Sequence, residues 1–127
     1  MQTRKINAPD APDPVGGYTQ AVEIANASRI LFISGQIPVS ADGTTPESFA
    51  DQARLAWANI EAQLRAADMT LENIVKHTTF LADRKYREEN REVRRAVFGE
   101  LRPALTVVIA GIFDEAWLLE IEAIAAV

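Results

Sequence analysis

Apolar residues along this chain alternate between short runs typical of strands and two longer stretches with helical spacing. Runs rich in β-branched and aromatic residues predict strands, and they cover residues 3–6, 21–25, 29–36, 74–81, 105–110 and 118–127. Asn26-Ala27-Ser28 separates the second run from the third, which predicts a hairpin. Ile30 to Ile33 is continuously apolar, as expected of a strand that is covered on both faces.

Two helices are predicted between these strands. From residue 49 to residue 67, apolar side chains recur at steps of three and four, and Thr45-Pro46 supplies a capping hydroxyl and a proline for the first helical position. A more polar helix is predicted over residues 83–100, with the stripe Tyr86, Asn90, Val93 and Val97, and Pro103 is expected to end it. The element order predicts one α+β domain that spans residues 1–127.

Composition narrows the classes of function. The net charge is -5 and no basic cluster interrupts the mixture, which disfavours binding to a nucleic-acid backbone. With no cysteine and one histidine, we expect no disulfide, no metal site and no bound cofactor. No apolar run follows Arg4-Lys5 and none reaches eighteen residues, so we expect no membrane segment and a cytoplasmic protein.

The last predicted strand carries a pair of carboxylates. Strand alternation places Glu120 and Glu122 on one face with their Cα atoms about 6.6 to 6.8 Å apart. They can share a site, or they can form a polar face towards solvent.

Other polar positions are weaker candidates. Asn90 lies in an apolar helical stripe, where its amide contacts either a ligand or a neighbouring backbone group. Tyr18 follows Gly16-Gly17 and could present a phenol from a loop, while Gly35 at a strand end lets a ligand approach the backbone. His77 has no second histidine nearby, and we interpret it as structural.

Taken together, these positions and their order resemble the reactive intermediate deaminase (Rid/YjgF) superfamily. The segments that carry the resemblance are Gly17-Tyr18-Thr19-Gln20-Ala21-Val22, Ser34-Gly35-Gln36-Ile37-Pro38, Gln52, Asn59, Asn90, Pro103-Ala104 and Glu120-Ile121-Glu122-Ala123-Ile124-Ala125. The resemblance implies a chorismate-mutase-like fold with a mixed sheet packed by two helices. It also implies a homotrimer whose sheets form a central barrel, with small-molecule clefts at the subunit interfaces.

The resemblance also assigns roles to single residues. In deaminases of this superfamily an arginine after Pro-Ala or Pro-Thr binds the carboxylate of an enamine or imine, and Leu105 stands at that position here. Val107 stands where the superfamily has a small polar residue or cysteine. The resemblance implies that Glu120 positions the attacking water and that Tyr18, Gly35 and Asn90 line or support the cleft.

Leucine at position 105 predicts a changed specificity. It removes a charge-assisted hydrogen bond of about 1.5 to 3 kcal/mol, so we expect a neutral or cationic ligand. Arg102 is a poor replacement because an odd separation along a strand points to the opposite face, whereas Arg84 or Arg87 of a neighbouring subunit stays open.

Three functions remain compatible with the sequence. The first is an enamine or imine deaminase with altered specificity, whose activity on 2-aminoacrylate would be weak or absent. The second is a ligand-binding or regulatory trimer without catalysis, and the third is a pathway-specific deaminase such as a 2-aminomuconate deaminase. Ribonuclease activity is disfavoured by the net charge of -5.

Overall fold

A computed structural model describes all residues from 1 to 127. The strands and helices are β1 (Gln2–Ile6), β2 (Ala21–Ala25), β3 (Ile30–Gln36), α1 (Phe49–Ala66), β4 (Ile74–Leu81), α2 (Arg87–Phe98), β5 (Ala104–Ile109) and β6 (Leu119–Ala126), and single 3₁₀ turns (Leu71–Asn73 and Arg84–Tyr86) precede β4 and α2. The predicted order of elements and the α+β class, a mixed sheet packed by two helices, are confirmed.

The main sheet has four strands in the order β3-β6-β4-β5, and β1 and β2 form a separate antiparallel ribbon. β6 runs antiparallel to both β3 and β4, while β5 runs parallel to β4. The parallel pair needs a crossover connection, which α2 supplies. β5 is therefore an edge strand that lies next to the helical layer.

Both helices cover one face of this sheet. β6 shows the expected alternation, because Leu119, Ile121 and Ala123 are buried while Glu122 is exposed. Trp57 and Ile60 of α1 complete the core and are 1% or less exposed. The opposite face of the sheet is open within one chain.

The predicted hairpin between residues 21–25 and 29–36 is wrong. β2 pairs with β1 in the register Gln2↔Ala25 to Ile6↔Ala21, and β3 pairs with β6. Asn26 adopts a left-handed φ of 60°, which redirects the chain between the two sheets. Within one chain β3 is covered on one face only, since Phe32 is 74% exposed.

Both helices are shorter than predicted. α1 begins after Ser48, whose side chain accepts a hydrogen bond from the amide of Asp51, and not at Thr45-Pro46. α2 ends at Phe98, before Pro103, because Gly99 takes a left-handed φ of 56° and stops it. No helix in the chain combines the length and the apolar character that crossing a bilayer requires.

Candidate functional site

The largest depression in the surface is a groove between α2 and β5. Its volume is about 830 Å³, and residues of the loop before β2 also line it. The lining combines apolar side chains of the sheet with a row of arginines and two polar candidates from the sequence: Val15, Tyr18, Gln20, Leu81, Arg84, Arg87, Asn90, Arg91, Arg94, Leu105, Thr106, Val107 and Ile109. Four of the predicted site residues thus meet here.

Tyr18 reaches the groove because the residue after it is fixed to β5. The amide of Thr19 donates to the carbonyl of Pro103 at 3.2 Å, and its hydroxyl donates to the carbonyl of Arg102 at 2.8 Å. Thr19 also forms an isolated parallel bridge with Ala104. This tether places the half-buried Tyr18 ring beside the start of the edge strand.

α2 turns a polar and charged face to the groove. Asn90 and Arg94 are four residues apart, as are Arg87 and Arg91, so both pairs lie on neighbouring rows of the helix surface. Exposure falls along this face: Arg87 is exposed, Arg91 is half-buried, and Asn90 and Arg94 are 4% and 8% exposed. The deepest polar groups of the groove are therefore an amide and a guanidinium.

Arg94 is buried without a partner of opposite charge. The ion pairs of the chain are Arg4–Glu23, Arg54–Asp51 and Arg102–Glu100, none of which involves the groove. The Nε atom of Arg94 is buried and makes no hydrogen bond. Burial lowers the pKa of Arg94, and the neighbouring charges of Arg91 and Arg95 lower it further.

The strand side of the groove is apolar except for Thr106. Leu105 pairs with His77 across the parallel strands, and Val107 pairs with Thr79, so all four side chains lie on the helix-facing side of the sheet. His77 itself is 1% exposed and stacks on Phe98. Burial, together with the charges of Arg94 and Lys76, lowers the pKa of His77 to about 3, so the ring is neutral at pH 7. His77 lies beneath Leu105 and does not itself line the groove.

Glu120 and Gly35 do not lie in this groove. Glu120 pairs with Phe80 on the open face of the sheet, and its carboxylate covers Gly35 so closely that an added Cβ there would lie 2.0 Å from Oε2. A register shift in β3 between Ile33 and Gln36 accompanies this approach. The predicted site residues are thus divided between the two faces of one sheet.

The expectation of a neutral or cationic ligand stays a prediction, and within one chain the groove itself is basic. Four arginines and no carboxylate line it, because Glu120 lies on the other face. Sequence reasoning considered Arg84 and Arg87 only as residues of a neighbouring subunit, and it missed Arg94. The spacing of four from Asn90 was the signal that could have found Arg94.

Other residues that carry the resemblance are structural. The Gln52 amide donates to the carbonyls of Pro46 and Ala116 at 2.9 Å, and its oxygen accepts from the amide of Leu118 at 2.8 Å. Asn59 donates in the same way to the backbone that follows β3. Arg102 donates to the carbonyls of Gly99 and Leu101 and does not line the groove, in agreement with its rejection as a clamp.

No group of three or more histidine, aspartate or glutamate side chains lies close enough to hold a metal ion. The polar side chains that line the groove are those of Tyr18, Gln20, Asn90, Thr106 and the four arginines. The fold and the groove define a small α+β protein with a basic groove at the edge of its sheet.

Comparison with known proteins identifies the family. Residues 8–127 match the model of the Endoribonuclease L-PSP family. A RutC family protein of Pyrococcus horikoshii, PH0854, is 39% identical over 120 residues, which cover 91% of each chain. TdcF of Escherichia coli, which is named as a reactive intermediate deaminase, is 35% identical over 124 residues and 94% of each chain.

Solved structures agree with this assignment. YyfB of Yersinia pestis, described as a conserved Rid family protein of unknown function, superposes with a TM-score of 0.86 over 100% of each chain at 25% identity. E. coli TdcF with bound serine gives a TM-score of 0.75 over 98% of each chain at 33% identity. The chain belongs to the Rid/YjgF superfamily.

Proposed function

We propose that this protein is an enamine or imine deaminase whose active site is completed by a second copy of the chain. The observation that carries this proposal is that the predicted site residues lie on two opposite faces of the sheet. Tyr18 and Asn90 lie in the groove, whereas Gly35 and Glu120 lie on the opposite face of the same sheet. One chain cannot bring the two halves together, but a neighbouring copy that places its open sheet face over the groove can.

The open face has the chemistry of an interface between subunits. Ile30 is 52% exposed and Phe32 is 74% exposed, and Val108 of the edge strand adds a further apolar surface at 38%. Exposed apolar surface of this kind favours association. A homotrimer with three such clefts, as the superfamily membership suggests, would bury it.

The proposed reaction is hydrolysis of a carbon–nitrogen double bond. The Glu120 carboxylate orients a water and accepts one of its protons while the oxygen bonds to the imine carbon. The nitrogen takes this proton from Glu120 and a second proton from the new hydroxyl group, and it leaves as ammonia while the hydroxyl oxygen becomes the carbonyl oxygen. Tyr18 and Asn90 hold the substrate over the apolar wall of Leu105 and Val107.

Ammonia release from freshly generated 2-aminoacrylate and 2-iminobutyrate tests this reaction. We expect the wild-type protein to exceed the uncatalysed rate and Glu120→Gln to lose about 10² to 10⁴-fold. If neither substrate is hydrolysed faster than in buffer, the deaminase proposal is wrong.

Mixing two inactive variants tests the shared cleft. Glu120→Gln keeps the groove, and Asn90→Ala keeps the carboxylate. When the two are unfolded and refolded together, about a quarter of the interfaces in random oligomers would pair an intact groove with an intact carboxylate. Recovered activity is expected, while no recovery from oligomers shown to be mixed would place the site within one chain.

A binding protein without catalysis is the second candidate, and Leu105 favours it. Leucine supplies no hydrogen bond to a substrate at a position where the superfamily's deaminases use arginine. This candidate predicts ligand-induced thermal stabilisation together with no ammonia release. The outcome of the rate measurement therefore separates the two functions.

A further inference from the structure

We propose that a second depression, separate from the groove, binds a phosphate group. It lies between the loop at Gly16-Gly17 and the end of α2, and its volume is about 400 Å³. We call it the loop–helix depression, and its charged lining comes mainly from Arg94, Arg95 and Arg102. Arg94 is the one residue that lines both this depression and the groove. The site therefore goes beyond the proposed reaction and does not depend on it.

The first argument is the balance of charge. Three guanidinium groups and the carboxylate of Glu100 line the loop–helix depression, which leaves an excess of two positive charges. The Glu100 side chain is fully exposed and lies 3.8 Å from Nη2 of Arg102, so solvent screens this pair. Arg94 and Arg95 form no ion pair with any carboxylate of the chain. A phosphate group, with about 1.5 to 2 negative charges at pH 7, would match the excess.

The second argument is a buried donor without an acceptor. Arg94 is 8% exposed, and its Nε atom is buried and makes no hydrogen bond. Burial lowers the pKa of Arg94, and the charges of Arg91 and Arg95 lower it further. A guanidinium that is buried in this way is costly unless an opposite charge lies close to it. An anion in the loop–helix depression would offset this cost.

The third argument is the contact between the arginines and the loop. An ideal Cβ on Gly16 would lie 3.5 Å from Nη2 of Arg95, and one on Gly17 would lie 3.5 Å from Nη2 of Arg94. Two consecutive guanidinium groups thus face two consecutive glycines, so the loop side of the depression is backbone alone at these positions. The amides of Gly16 and Gly17 donate to no carbonyl group of the chain. Free backbone amides in a concave loop bind anions, and here they would add to the arginines.

The end of α2 would by itself disfavour an anion, because its last carbonyl groups carry partial negative charge. Arg102 offsets this charge, since its Nη1 atom donates to the carbonyls of Gly99 and Leu101 at 2.8 and 3.0 Å. The amide of Gly99 donates in turn to the carbonyl of Arg95 at 2.9 Å. The carbonyl groups nearest the loop–helix depression are therefore bonded within the chain, and the arginines determine the sign of its potential.

Calorimetric titrations at one ionic strength test the site, because salt would otherwise screen the arginines to different extents. The probes are inorganic phosphate, the phosphate monoester glycerol 3-phosphate, and acetate. We expect the wild type to bind both phosphate probes more tightly than acetate, since a carboxylate can occupy only one guanidinium fork. Tighter binding of the inorganic ion would identify free phosphate as the ligand, and tighter binding of the ester would identify a phosphorylated metabolite. Acetate binding as tight as that of either phosphate probe would overturn the proposal.

Arg95→Gln is the main variant, because Arg95 is exposed and lines the loop–helix depression without lining the groove. We expect it to lower the affinity for phosphate about tenfold, which corresponds to the loss of one charge-assisted hydrogen bond. Arg91→Gln is the matched control, since it makes the same change in charge on α2 but Arg91 lines the groove alone. Its affinity for phosphate should stay within about twofold of the wild type. An equal or larger loss in Arg91→Gln would mean that phosphate binds in the groove or to the general field of the helix, and the proposal would be wrong.

Amide NMR signals of isotope-labelled protein locate the bound ion. The signals of Gly16 and Gly17 should shift when phosphate is added to the wild type, and they should shift less in Arg95→Gln at the same phosphate concentration. Shifts confined to groove residues such as Asn90 and Thr106 would overturn the proposal. Failure of ammonia release in the earlier assay would leave these binding results unaffected, so the two proposals fail independently.

Discussion

The single histidine gives a prediction about stability that is independent of the ligand. The centroid of the His77 ring lies 5.0 Å from that of Trp57 and 5.1 Å from that of Phe98, and neither ring nitrogen of His77 has a hydrogen-bond partner. Its burial and the charges of Arg94 and Lys76 lower its pKa from 6.5 to about 3. The folded state therefore keeps the ring neutral over a pH range in which the unfolded chain protonates it.

The sign and size of the effect follow from this difference. Because the folded pKa is lowered, His77 contributes stability that is present above pH 6.5 and is lost as the pH falls towards 3. Each unit of separation is equivalent to about 1.4 kcal/mol, so lowering the pH from 7 to 5 should cost about 2 kcal/mol of unfolding free energy. Carboxylates that titrate in the same range contribute equally to any variant that leaves them in place.

The assay is urea unfolding at pH 7 and pH 5, at one protein concentration, for the wild type and His77→Leu. The variant cannot titrate at this position, so its loss between the two pH values should be smaller than the wild-type loss by about 2 kcal/mol. Proton NMR gives a second measurement, because the chain has one histidine and its ring signals need no assignment. Parallel pH dependences, or ring signals that titrate near pH 6.5 in the folded protein, would refute the reasoning.

Three further substitutions test the Glu120 carboxylate, the hydrogen bonds of Gln52 to the backbone, and the open face of the sheet. Gly35→Ala should displace the Glu120 carboxylate by more than 1 Å, since the added Cβ would lie 2.0 Å from Oε2, and it should lower the rate of ammonia release about 10²-fold. Gly111→Ala is the control and should keep the wild-type rate, because nothing lies within 4 Å of the added Cβ. If the two variants release ammonia at the same rate, Glu120 takes no part in the reaction. Gln52→Ala breaks three hydrogen bonds to backbone groups and should lower the urea-unfolding free energy by about 2 to 4 kcal/mol, whereas a loss below about 0.5 kcal/mol would mean that water replaces the amide. Phe32→Lys places a charge on the open sheet face and should shift the protein to monomers in analytical ultracentrifugation, and an unchanged oligomer would locate the interface elsewhere.

Local patterns predicted the elements well because each depends on nearby residues. The strand at 74–81 matches β4 at both ends, and the alternation along β6 placed Glu120 and Glu122 on one face. The partners with which the strands pair could not be predicted in the same way. β2 was expected to pair with β3, yet it pairs with β1, because nothing within the turn at Asn26 encodes which distant strand offers free hydrogen-bonding groups.

The site was harder to predict than the fold. The sequence motifs pointed to Tyr18, Asn90 and Leu105, and these residues do line one groove. The motifs could not show that Glu120 lies on the opposite face of the sheet. Arg94 was missed because an arginine on a polar helix is normally solvated. Gly17 of the loop before β2 lies against its guanidinium, and this is a tertiary contact that no local pattern reports.

The position of β5 at the edge of the sheet has a consequence for how the protein reaches its working form. Four consecutive residues from Thr106 to Ile109 are exposed, three of them apolar, and they pair with β4 on one side only, since the Thr19 bridge on the other side is confined to Ala104. An unprotected edge of this kind can recruit strands from other molecules. We therefore expect newly made chains to depend on rapid assembly to stay out of aggregates, and substitutions that slow assembly to lower the yield of soluble protein before they change any property of the finished groove.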